Sequence, residues 1–388
     1  MSKVIYMDNA GSTKVRREVI DEMMPQLSEE YANPSSVYSL ARKSMGAIND
    51  AREKVAKAIN AQPREIFFTS SGTEANNWAL QCIANTNSNK GKHIITSSIE
   101  HPAVLNTCKH LENIGFEITR LPVSPEGLVS PDDLRKALRP DTILVSVMFV
   151  NNEVGTVQPI AELGKIAREN GTYFHTDAIQ AVGHIPVDVE ALNVDLLSLS
   201  GHKFHAPKGV GALYIRKGVK ICSLLYGGGH ERGLRASTHN APGIVALGKA
   251  IELATEDMGA EMARLAALRD RLVDGILSRI EHTYLNGCRT NSVPGIANIS
   301  FEFIEGESLL LLLEHKGIYC SSGSACSSGS LDPSPVLMAM GLTHSKAHGS
   351  LRMSLGYFST EDDVDTVIEE LVPIVKRLRE MSPTFPRD

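Results

Sequence analysis

One lysine stands where an amine could act as a nucleophile. Lys203 closes the sequence Ser200-Gly201-His202-Lys203, which directly follows the apolar run 194–199. The apolar run predicts a buried β-strand, and Gly201 lets the backbone turn sharply at its end. A lysine at the end of a strand, beside hydroxyl and imidazole groups, suits Schiff-base formation with a carbonyl compound. A solvated loop lysine is the ordinary alternative, so other positions must decide between the two.

A second stretch, 66–76, predicts a strand, a tight turn and the start of a helix. The backbone N–H groups of Gly72, Thr73 and Glu74 would lie at the positive end of the helix dipole, and the hydroxyl of Thr73 adds a donor. This geometry would bind a phosphate group. An ordinary helix cap is the alternative interpretation.

Three more polar clusters follow predicted strands. They are Glu100-His101, Asn151-Asn152-Glu153 and the run from His175 through Asp177 to Gln180. Strands and helices alternate at short spacing through this region, which predicts βαβ units and a mainly parallel sheet with helices on both faces. Since such sheets bind ligands at the carboxyl ends of their strands, we expect these clusters to meet Lys203 there.

The remaining elements follow from apolar periodicity and turn residues. Further predicted strands are 4–7, 93–96, 116–119, 142–150, 173–175, 212–215 and 296–303, and predicted helices are 16–27, 39–59, 101–114, 160–170, 307–315 and 361–381. A long helical stretch from about 244 to 280, broken near 258–259, leads from a large domain into a smaller α+β domain.

Composition excludes several classes of protein. The chain has 388 residues and a formal charge of −6, with no run of basic residues, so we expect no nucleic-acid partner. Its first residues lack a signal-peptide core and no apolar run could span a bilayer, so we expect no membrane contact and a cytoplasmic location. The six cysteines form no C-x-x-C pair, and His202 with His205 would make a poor metal site; we expect no metal.

Cys326 has an unusual setting among the cysteines. The surrounding stretch 321–330 consists almost entirely of serine, glycine and alanine, a composition typical of a flexible segment. A reactive thiol carried on a moving loop is one interpretation. A linker that holds an incidental cysteine is the other.

Taken together, these motifs resemble the cysteine desulfurases, a pyridoxal-phosphate family with the large aminotransferase-type fold. The resemblance runs in order along nearly the whole chain and rests on Ser71-Gly72-Thr73, Glu100-His101-Pro102, Asn151 to Gly155, His175 to Gln180, Ser200 to Lys203, Ser321 to Gly329 and Leu351 to Leu355. The Cys326 loop and the short tail are more similar to nitrogen-fixation (NifS-like) members than to housekeeping (IscS-like) ones. The resemblance implies an α/β fold with a large cofactor-binding domain at 15–257 and a small domain formed by 1–14 and 258–388.

The resemblance also implies roles around the cofactor. Lys203 resembles the lysine that holds pyridoxal 5′-phosphate and moves the substrate α-proton. Asp177 resembles the carboxylate paired with the pyridinium nitrogen, and His101 resembles the ring that stacks on the pyridine and acts as acid or base. Gln180 matches the residue bonded to the phenolic oxygen, with Asn152 close by.

Four positions match the phosphate contacts of the family, and one matches its substrate clamp. Thr73, which follows Gly72, matches a phosphate donor of the family, as do Ser200 and His202. Thr238 resembles a donor to the phosphate of a neighbouring subunit, which implies a homodimer; Ser237 stands before it where glycine is commoner. Arg352 resembles the clamp for the substrate carboxylate.

The implied reaction converts L-cysteine to L-alanine, with Cys326 taking the sulfur atom as a persulfide. The implied acceptor is an iron–sulfur scaffold protein, NifU-like or IscU-like. A selenocysteine lyase or an aminotransferase of the same fold is the alternative enzyme, and a non-catalytic sulfur-trafficking protein is an alternative of another class.

Overall fold

A seven-stranded sheet forms the centre of the fold. The computed structural model describes residues 3–322 and 333–386. The strands are β1 (Ile5–Tyr6), β2 (Ile66–Thr69), β3 (His93–Ser97), β4 (Glu117–Leu121), β5 (Thr142–Ser146), β6 (Tyr173–Asp177), β7 (Leu196–Ser200), β8 (Gly211–Ile215), β9 (Thr283–Asn286), β10 (Ile296–Phe301), β11 (Ile318–Tyr319) and β12 (Ser350–Ser354). The helices are α1 (Arg17–Met23), α2 (Pro25–Ser28), α3 (Ser39–Ala58), α4 (Gly72–Asn87), α5 (Pro102–Asn113), α6 (Pro131–Ala137), α7 (Ile160–Glu169), α8 (Ala241–Glu256), α9 (Met258–Arg279), α10 (Gly306–Glu314), α11 (Pro335–Ala339), α12 (His344–His348) and α13 (Glu361–Met381).

The large sheet has the strand order β2-β8-β7-β6-β5-β3-β4. Every neighbouring pair from β4 to β7 is parallel, whereas β8 runs antiparallel to both β7 and β2. The predicted mainly parallel sheet is therefore confirmed. Because β3, β6 and β7 run in one direction, their carboxyl ends lie at the same edge.

Helices cover both faces of this sheet. Successive strand residues point to opposite sides, so Leu196 joins a core with α4 and α5 while Leu197 joins a core with α3, α7 and α8. Phe67 and Phe68 likewise point to opposite faces: Phe67 joins the core with α4 and α5, and Phe68 joins the core with α3, α7 and α8. Both faces of the strands are apolar, as parallel sheets with helices on each side require.

A second core brings the two ends of the chain together. Ile5 and Met7 pack with residues of α9, α10 and α13 around the antiparallel sheet β12-β10-β9. The short strand β1 pairs in parallel with β11, from the far end of the sequence. Residues 5–10 consequently have partners in elements that lie more than 300 positions later.

The predicted α/β fold class is confirmed, and the differences in detail have local causes. The predicted helix 16–27 is two helices, because Pro25 begins a new one, and the long stretch 244–280 is interrupted at Asp257. The strand predicted over 142–150 ends at Ser146. The division into a large domain at 15–257 and a small domain formed by 1–14 and 258–388 stays a prediction. Within residues 3–322 and 333–386, no helix combines the length and apolar character needed to cross a bilayer.

The packing of α3 against α8 depends on a glycine. A Cβ atom added at Gly248 would lie 2.6 Å from both Cα and Cβ of Ala51, whereas one added at Gly46, also inside a helix, would meet nothing within 4 Å. We expect Gly248→Ala to lower the free energy of unfolding by about 2 kcal/mol. We expect Gly46→Ala, the control, to raise it by roughly 0.5 kcal/mol, because alanine is the better helix former. Urea unfolding followed by circular dichroism measures both, and equal effects would contradict the close approach.

Candidate functional site

Lys203 lies at the carboxyl edge of the large sheet, as predicted. It ends a 3-10 turn, Gly201–Lys203, that follows β7 directly. A Cβ atom at Gly201 would meet Ala206 and Leu247 side chains at 2.9 Å, so the turn requires glycine. The Lys203 Nζ donates hydrogen bonds to the carbonyl oxygens of Ala10 (2.6 Å) and Gly11 (2.8 Å). The first turn of the chain therefore orients the amine.

Asp177, the last residue of β6, is buried beside this lysine. Its Oδ1 accepts a hydrogen bond from the backbone N–H of Ile179 (3.0 Å), and its Oδ2 accepts one from Asn76 Nδ2 (2.6 Å). Burial raises the pKa of Asp177, while its hydrogen bonds from Ile179 and Asn76 and the charge of Lys203 oppose that shift. An ionised carboxylate here would be stabilised by a cationic group.

His101 caps the start of α5 with its own ring. Its Nδ1 accepts a hydrogen bond from the backbone N–H of Ala103 (3.0 Å). Burial lowers the pKa of His101, with the carboxylate of Asp177 opposing the shift. The ring is therefore neutral near pH 7, and since Nδ1 is an acceptor, the proton sits on Nε2. His101 offers an N–H donor.

The helix start predicted at 72–74 is the beginning of α4. A Cβ atom at Gly72 would lie 2.2 Å from Cδ1 of Ile179 and 3.2 Å from Cβ of Ser200, so the helix approaches the ends of β6 and β7 closely. Thr73, the next residue, is exposed. The positive end of this helix thus adjoins the strand ends.

One of the three backbone N–H groups predicted to bind a phosphate group, that of Glu74, has another partner. The backbone N–H of Glu74 donates to the side chain of Ser71, the N-cap of α4, at 3.1 Å. The carboxylate of Glu74 pairs with Arg235 at 2.8 Å. The backbone N–H of Glu74 is thus already hydrogen-bonded to Ser71. The backbone N–H groups that remain to bind an anion are those of Gly72 and Thr73.

Gln180 and Lys203 are joined through one carbonyl group. Gln180 is buried, and its Nε2 donates to the carbonyl oxygen of Ala10 at 2.8 Å, the same oxygen that Lys203 contacts. The structure therefore brings these two predicted site residues together.

Arg352 lies on β12 with its guanidinium buried. Its Nη1 donates to the carbonyl oxygen of Asn152 (2.9 Å) and its Nη2 to Oδ1 of Asp8 (2.8 Å), while Nε is buried without a partner among the described residues. Asn152 is thus beside Arg352 through its backbone. The predicted carboxylate clamp already holds one carboxylate, that of Asp8.

Ser200 ends β7, and His202 lies inside the turn that Lys203 ends. His202 Nδ1 is 3.3 Å from the hydroxyl oxygen of Ser12. Burial, together with the charges of Lys203 and Lys208, lowers the pKa of His202 to about 4. The ring is neutral at pH 7, so it can act toward an anion only as a neutral N–H donor.

Thr238 is exposed on a loop whose neighbouring residues make buried contacts. Its neighbour His239 contacts Glu231 through Nε2 (2.8 Å), and Glu231 is paired with Arg52 in a buried bidentate contact. Ser237 has a φ of 102°, in the region that favours glycine, which agrees with the commoner glycine at this position. Among the described residues, Thr238 makes no hydrogen bond to the group around Lys203.

Cys326 lies outside the described residues. Cys320, six positions earlier, is packed against the second core. Burial raises the pKa of the Cys320 thiol to about 12, so it is protonated at neutral pH and a poor nucleophile.

Sequence reasoning missed three contributors to the site. Asn76 lies four positions after Gly72, and helix geometry would have placed it on the same face as that glycine. Asp8 pairs with Arg352 across more than 340 positions, which no local pattern indicates. The Ala10 carbonyl is a backbone group, and no side-chain pattern could have revealed it.

Glu100, next to His101, is completely enclosed. Its Oε1 accepts hydrogen bonds from the Ser97 hydroxyl (2.5 Å) and the backbone N–H of Met148 (2.9 Å), while Oε2 is buried without a partner among the described residues. Burial raises the pKa of Glu100 to about 8, and the hydrogen bonds oppose the shift. Glu100 is therefore a neutral acid at pH 7.

Known proteins share this architecture over the whole chain. The Aminotransferase class-V family model matches residues 5–367. The chain is 58% identical to the cysteine desulfurase IscS of Methanosarcina thermophila, covering 100% of this chain and 96% of that protein. It is 56% identical to the cysteine desulfurase IscS of Clostridium botulinum, covering 99% and 98%.

Solved structures agree with these relatives. A NifS-like protein superposes with a TM-score of 0.92 at 40% identity, covering 97% of this chain and 100% of that one. The structure described as SspA in complex with cysteine has a TM-score of 0.82 at 39% identity, covering 92% and 99%.

The burial of Glu100 predicts a dependence of stability on pH. Its folded pKa of about 8 lies above the ordinary value of 4.5. The folded state therefore keeps a proton that the unfolded state loses, so this stabilisation is complete below about pH 4.5 and is lost as pH rises through about 8. We expect the stability of the native chain, relative to Glu100→Gln, to fall over this window by up to about 1.4 kcal/mol per pH unit.

Urea unfolding at pH 5, 7 and 9 measures this difference. Glu53→Gln on the exposed face of α3 is the control, and it should show no comparable slope. A difference between the native chain and Glu100→Gln that does not change with pH would mean that Glu100 is ionised in the fold.

Proposed function

Because the chain belongs to the class-V aminotransferase family and is a cysteine desulfurase, we propose that Lys203 and Cys326 carry out the conversion of L-cysteine to L-alanine. In the balanced reaction, the Cys326 thiolate attacks the sulfur atom of cysteine and the Cβ–S bond breaks. Its electron pair passes to Cβ, which takes up a proton to give alanine, while the sulfur atom stays on Cys326 as a persulfide. The observation that carries this proposal is the convergence of Lys203, Asp177 and His101 at one edge of the sheet.

The cofactor is pyridoxal 5′-phosphate, and the described residues fit it. Asp177 is a buried carboxylate whose two oxygens accept hydrogen bonds from the neutral groups of Asn76 and Ile179, which suits a protonated ring nitrogen. The amides at the start of α4 suit the phosphate, since Gly72 admits a close approach. When bound, this cofactor supplies an electron sink for the electron pair left by cleavage of the Cα–H bond.

Lys203 attaches the cofactor and then moves the proton at the substrate Cα. Its amine is directed by the carbonyl groups of Ala10 and Gly11, so the nitrogen has a defined position before the reaction. Such preorganisation lowers the cost of proton transfer. Lys203 is the catalytic base of the proposal.

His101 is proposed as a proton donor. The hydrogen bond from Ala103 to Nδ1 leaves the proton on Nε2, which favours the acid role over the base role in the neutral ring. Gln180 is proposed to contact the phenolic oxygen, and Thr73, Ser200 and His202 to contact the phosphate.

Arg352 is proposed to bind the substrate carboxylate. In that case the carboxylate replaces Asp8 at Nη2, and the unpartnered Nε offers a second donor for a bidentate pair. Asn152 supports the clamp through its carbonyl group.

The nucleophile is proposed to be Cys326 on the grounds of resemblance and by comparison with other thiols. Burial raises the pKa of Cys108 and of Cys320 to about 12, and it also raises the pKa of Cys82. Cys288 is the exception, since hydrogen bonds from Asn291 and Thr290 lower its pKa against the effect of burial. Cys288 is therefore the thiol against which Cys326 must be tested.

The assembly and the sulfur acceptor remain proposals as well. The exposed Thr238 supports a homodimer in which this residue reaches the neighbouring phosphate. The acceptor is proposed to be an iron–sulfur scaffold protein of the NifU or IscU type, and the cytoplasm is the expected location. Alanine formation without consumption of a keto acid would separate this activity from transamination, and a preference for cysteine over selenocysteine would separate it from a selenocysteine lyase.

Replacement of the active lysine should abolish the first step. Lys203→Ala should lose the visible absorption of the bound cofactor, fixation of the cofactor by borohydride, and on the order of 1000-fold in the exchange of the substrate Cα proton. Lys208→Ala, on the same loop and exposed, is the control and should keep all three. Cofactor still fixed by borohydride in Lys203→Ala would show that another amine holds it.

Replacement of Cys326 should separate proton removal at the substrate Cα from sulfur transfer. Cys326→Ser should keep Cα proton exchange, which depends on Lys203, while alanine formation with persulfide falls by about 100-fold or more. Cys320→Ser and Cys288→Ser should stay within roughly threefold of the native rate. Mass spectrometry of the labelled persulfide identifies the carrier, and a label on Cys288 would refute the assignment.

A further inference from the structure

A carboxylate of the chain itself occupies the arginine that is proposed to bind the substrate. Oδ1 of Asp8 accepts a hydrogen bond from Nη2 of Arg352 at 2.8 Å, and the two side chains are 28% and 6% exposed, respectively. The Nε of Arg352 is buried without a partner among the described residues. Nε and Nη2 form one edge of the planar guanidinium, which a carboxylate can bind with both of its oxygens. Asp8 therefore holds only half of this edge.

The turn that follows Asp8 does not need this carboxylate. The backbone N–H groups of Gly11 and Ser12 donate to the carbonyl oxygen of Asp8, at 3.0 and 3.2 Å. The backbone N–H of Ala10 donates to the hydroxyl of Ser354 at 2.8 Å. An aspartate at the start of a turn commonly binds such N–H groups with its side chain, but here each of them already has another partner. The contact between the carboxylate and the arginine is thus separate from the closure of the turn.

Gly11 makes room for the carboxylate of Asp8. A Cβ atom at this position would lie 2.4 Å from Oδ2 of Asp8 and 2.9 Å from both Cγ and Oδ1. The φ of Gly11 lies outside the region that favours glycine, so the main chain does not itself require glycine there. The carboxylate is the end of a rotatable side chain, so an alanine at position 11 would displace it, and Oδ1 would leave Arg352.

The same glycine contacts the amine of the proposed active lysine. The carbonyl oxygen of Gly11 accepts a hydrogen bond from Nζ of Lys203 at 2.8 Å. Gly11 therefore touches both this amine and the carboxylate of Asp8. An α-amino acid carries its nitrogen and its carboxylate on one carbon atom, so a substrate that reacts beside Lys203 through its nitrogen brings its carboxylate to the place that Asp8 occupies.

We propose that Asp8 competes with the substrate carboxylate for Arg352 and thereby sets the affinity of the site for amino acids. This inference rests on the proposed function, in which Arg352 binds the substrate carboxylate. When an amino acid binds, Asp8 gives up its hydrogen bond to Nη2, and the substrate takes Nη2 and Nε together. The reverse exchange helps to release the product, L-alanine. Apparent affinity falls in proportion to the fraction of the protein in which the arginine is available.

Two variants remove this competition by different routes. Asp8→Asn keeps the size of the side chain and removes its charge, whereas Gly11→Ala keeps the charge and displaces the carboxylate. We expect each variant, as the holoenzyme, to lower both the Kd of L-alanine and the KM for cysteine by about fivefold. Calorimetric titration with L-alanine measures the first quantity without any turnover.

A control ligand and a control variant show whether the effect is specific. Ethylamine is alanine without its carboxylate, so its Kd should not fall in Asp8→Asn or Gly11→Ala. Asp270→Asn removes a carboxylate from another buried arginine, Arg269, whose side chain is 9% exposed. This variant should leave the Kd of L-alanine unchanged.

A purely structural role for Asp8 predicts the opposite sign, because damage to a site weakens binding. If either Asp8→Asn or Gly11→Ala leaves the Kd of L-alanine unchanged or raises it, the inference is wrong. It is also wrong if ethylamine binds more tightly to the same extent, since no carboxylate is then involved. Should Asp8→Asn fail to fold, Gly11→Ala decides alone. Arg352→Gln tests the proposed function separately, because native affinity for L-alanine in that variant would show that Arg352 does not bind the substrate carboxylate.

Discussion

The hydrogen bonds from Lys203 to the carbonyl oxygens of Ala10 and Gly11 are the contact on which the site depends. They join a side chain from the large sheet to the first turn of the chain, and Gln180 reaches the same Ala10 oxygen. The backbone N–H of Ala10 in turn donates to the hydroxyl of Ser354 on β12. One turn of main chain thereby sets the position of the amine relative to both sheets.

Electrostatics in this region follow from burial. Glu100 and Asp177 have raised pKa values and His101 has a lowered one, in each case chiefly because water is excluded. Neutral groups dominate the surroundings, so the few charges that remain act strongly on one another. An environment of this kind favours chemistry in which charge develops on a bound group and is met by fixed dipoles.

Much of this site could be predicted from the sequence, because strand ends of a parallel sheet must meet. Lys203, Asp177, Gly72 and His101 each end a strand, follow one or lie at the start of a helix, and the structure places them together. The predictions that were wrong or missing also have physical reasons. The Glu74 amide was expected to face an anion, but Ser71 caps it, and whether a hydroxyl turns toward its own helix is decided by one rotamer. Asp8 and Arg352 are distant in sequence, and their pairing depends on tertiary packing alone.

The pairing of the N-terminal segment with β11 and β12 affects the order in which the chain can fold during synthesis. The strands β2 to β8 are complete once residue 215 has been made, so the large sheet can form while the chain is still growing. Residues 5–10, however, have their partners in β11 and β12, near position 320 and position 354. On the ribosome, the N-terminal segment is the first to emerge and among the last to dock, since domains form as their contacts become available. The contacts of residues 5–10 with β11 and β12 therefore form late, and an incomplete chain with a folded large sheet would hold Lys203 beside a turn that the second sheet has not yet fixed.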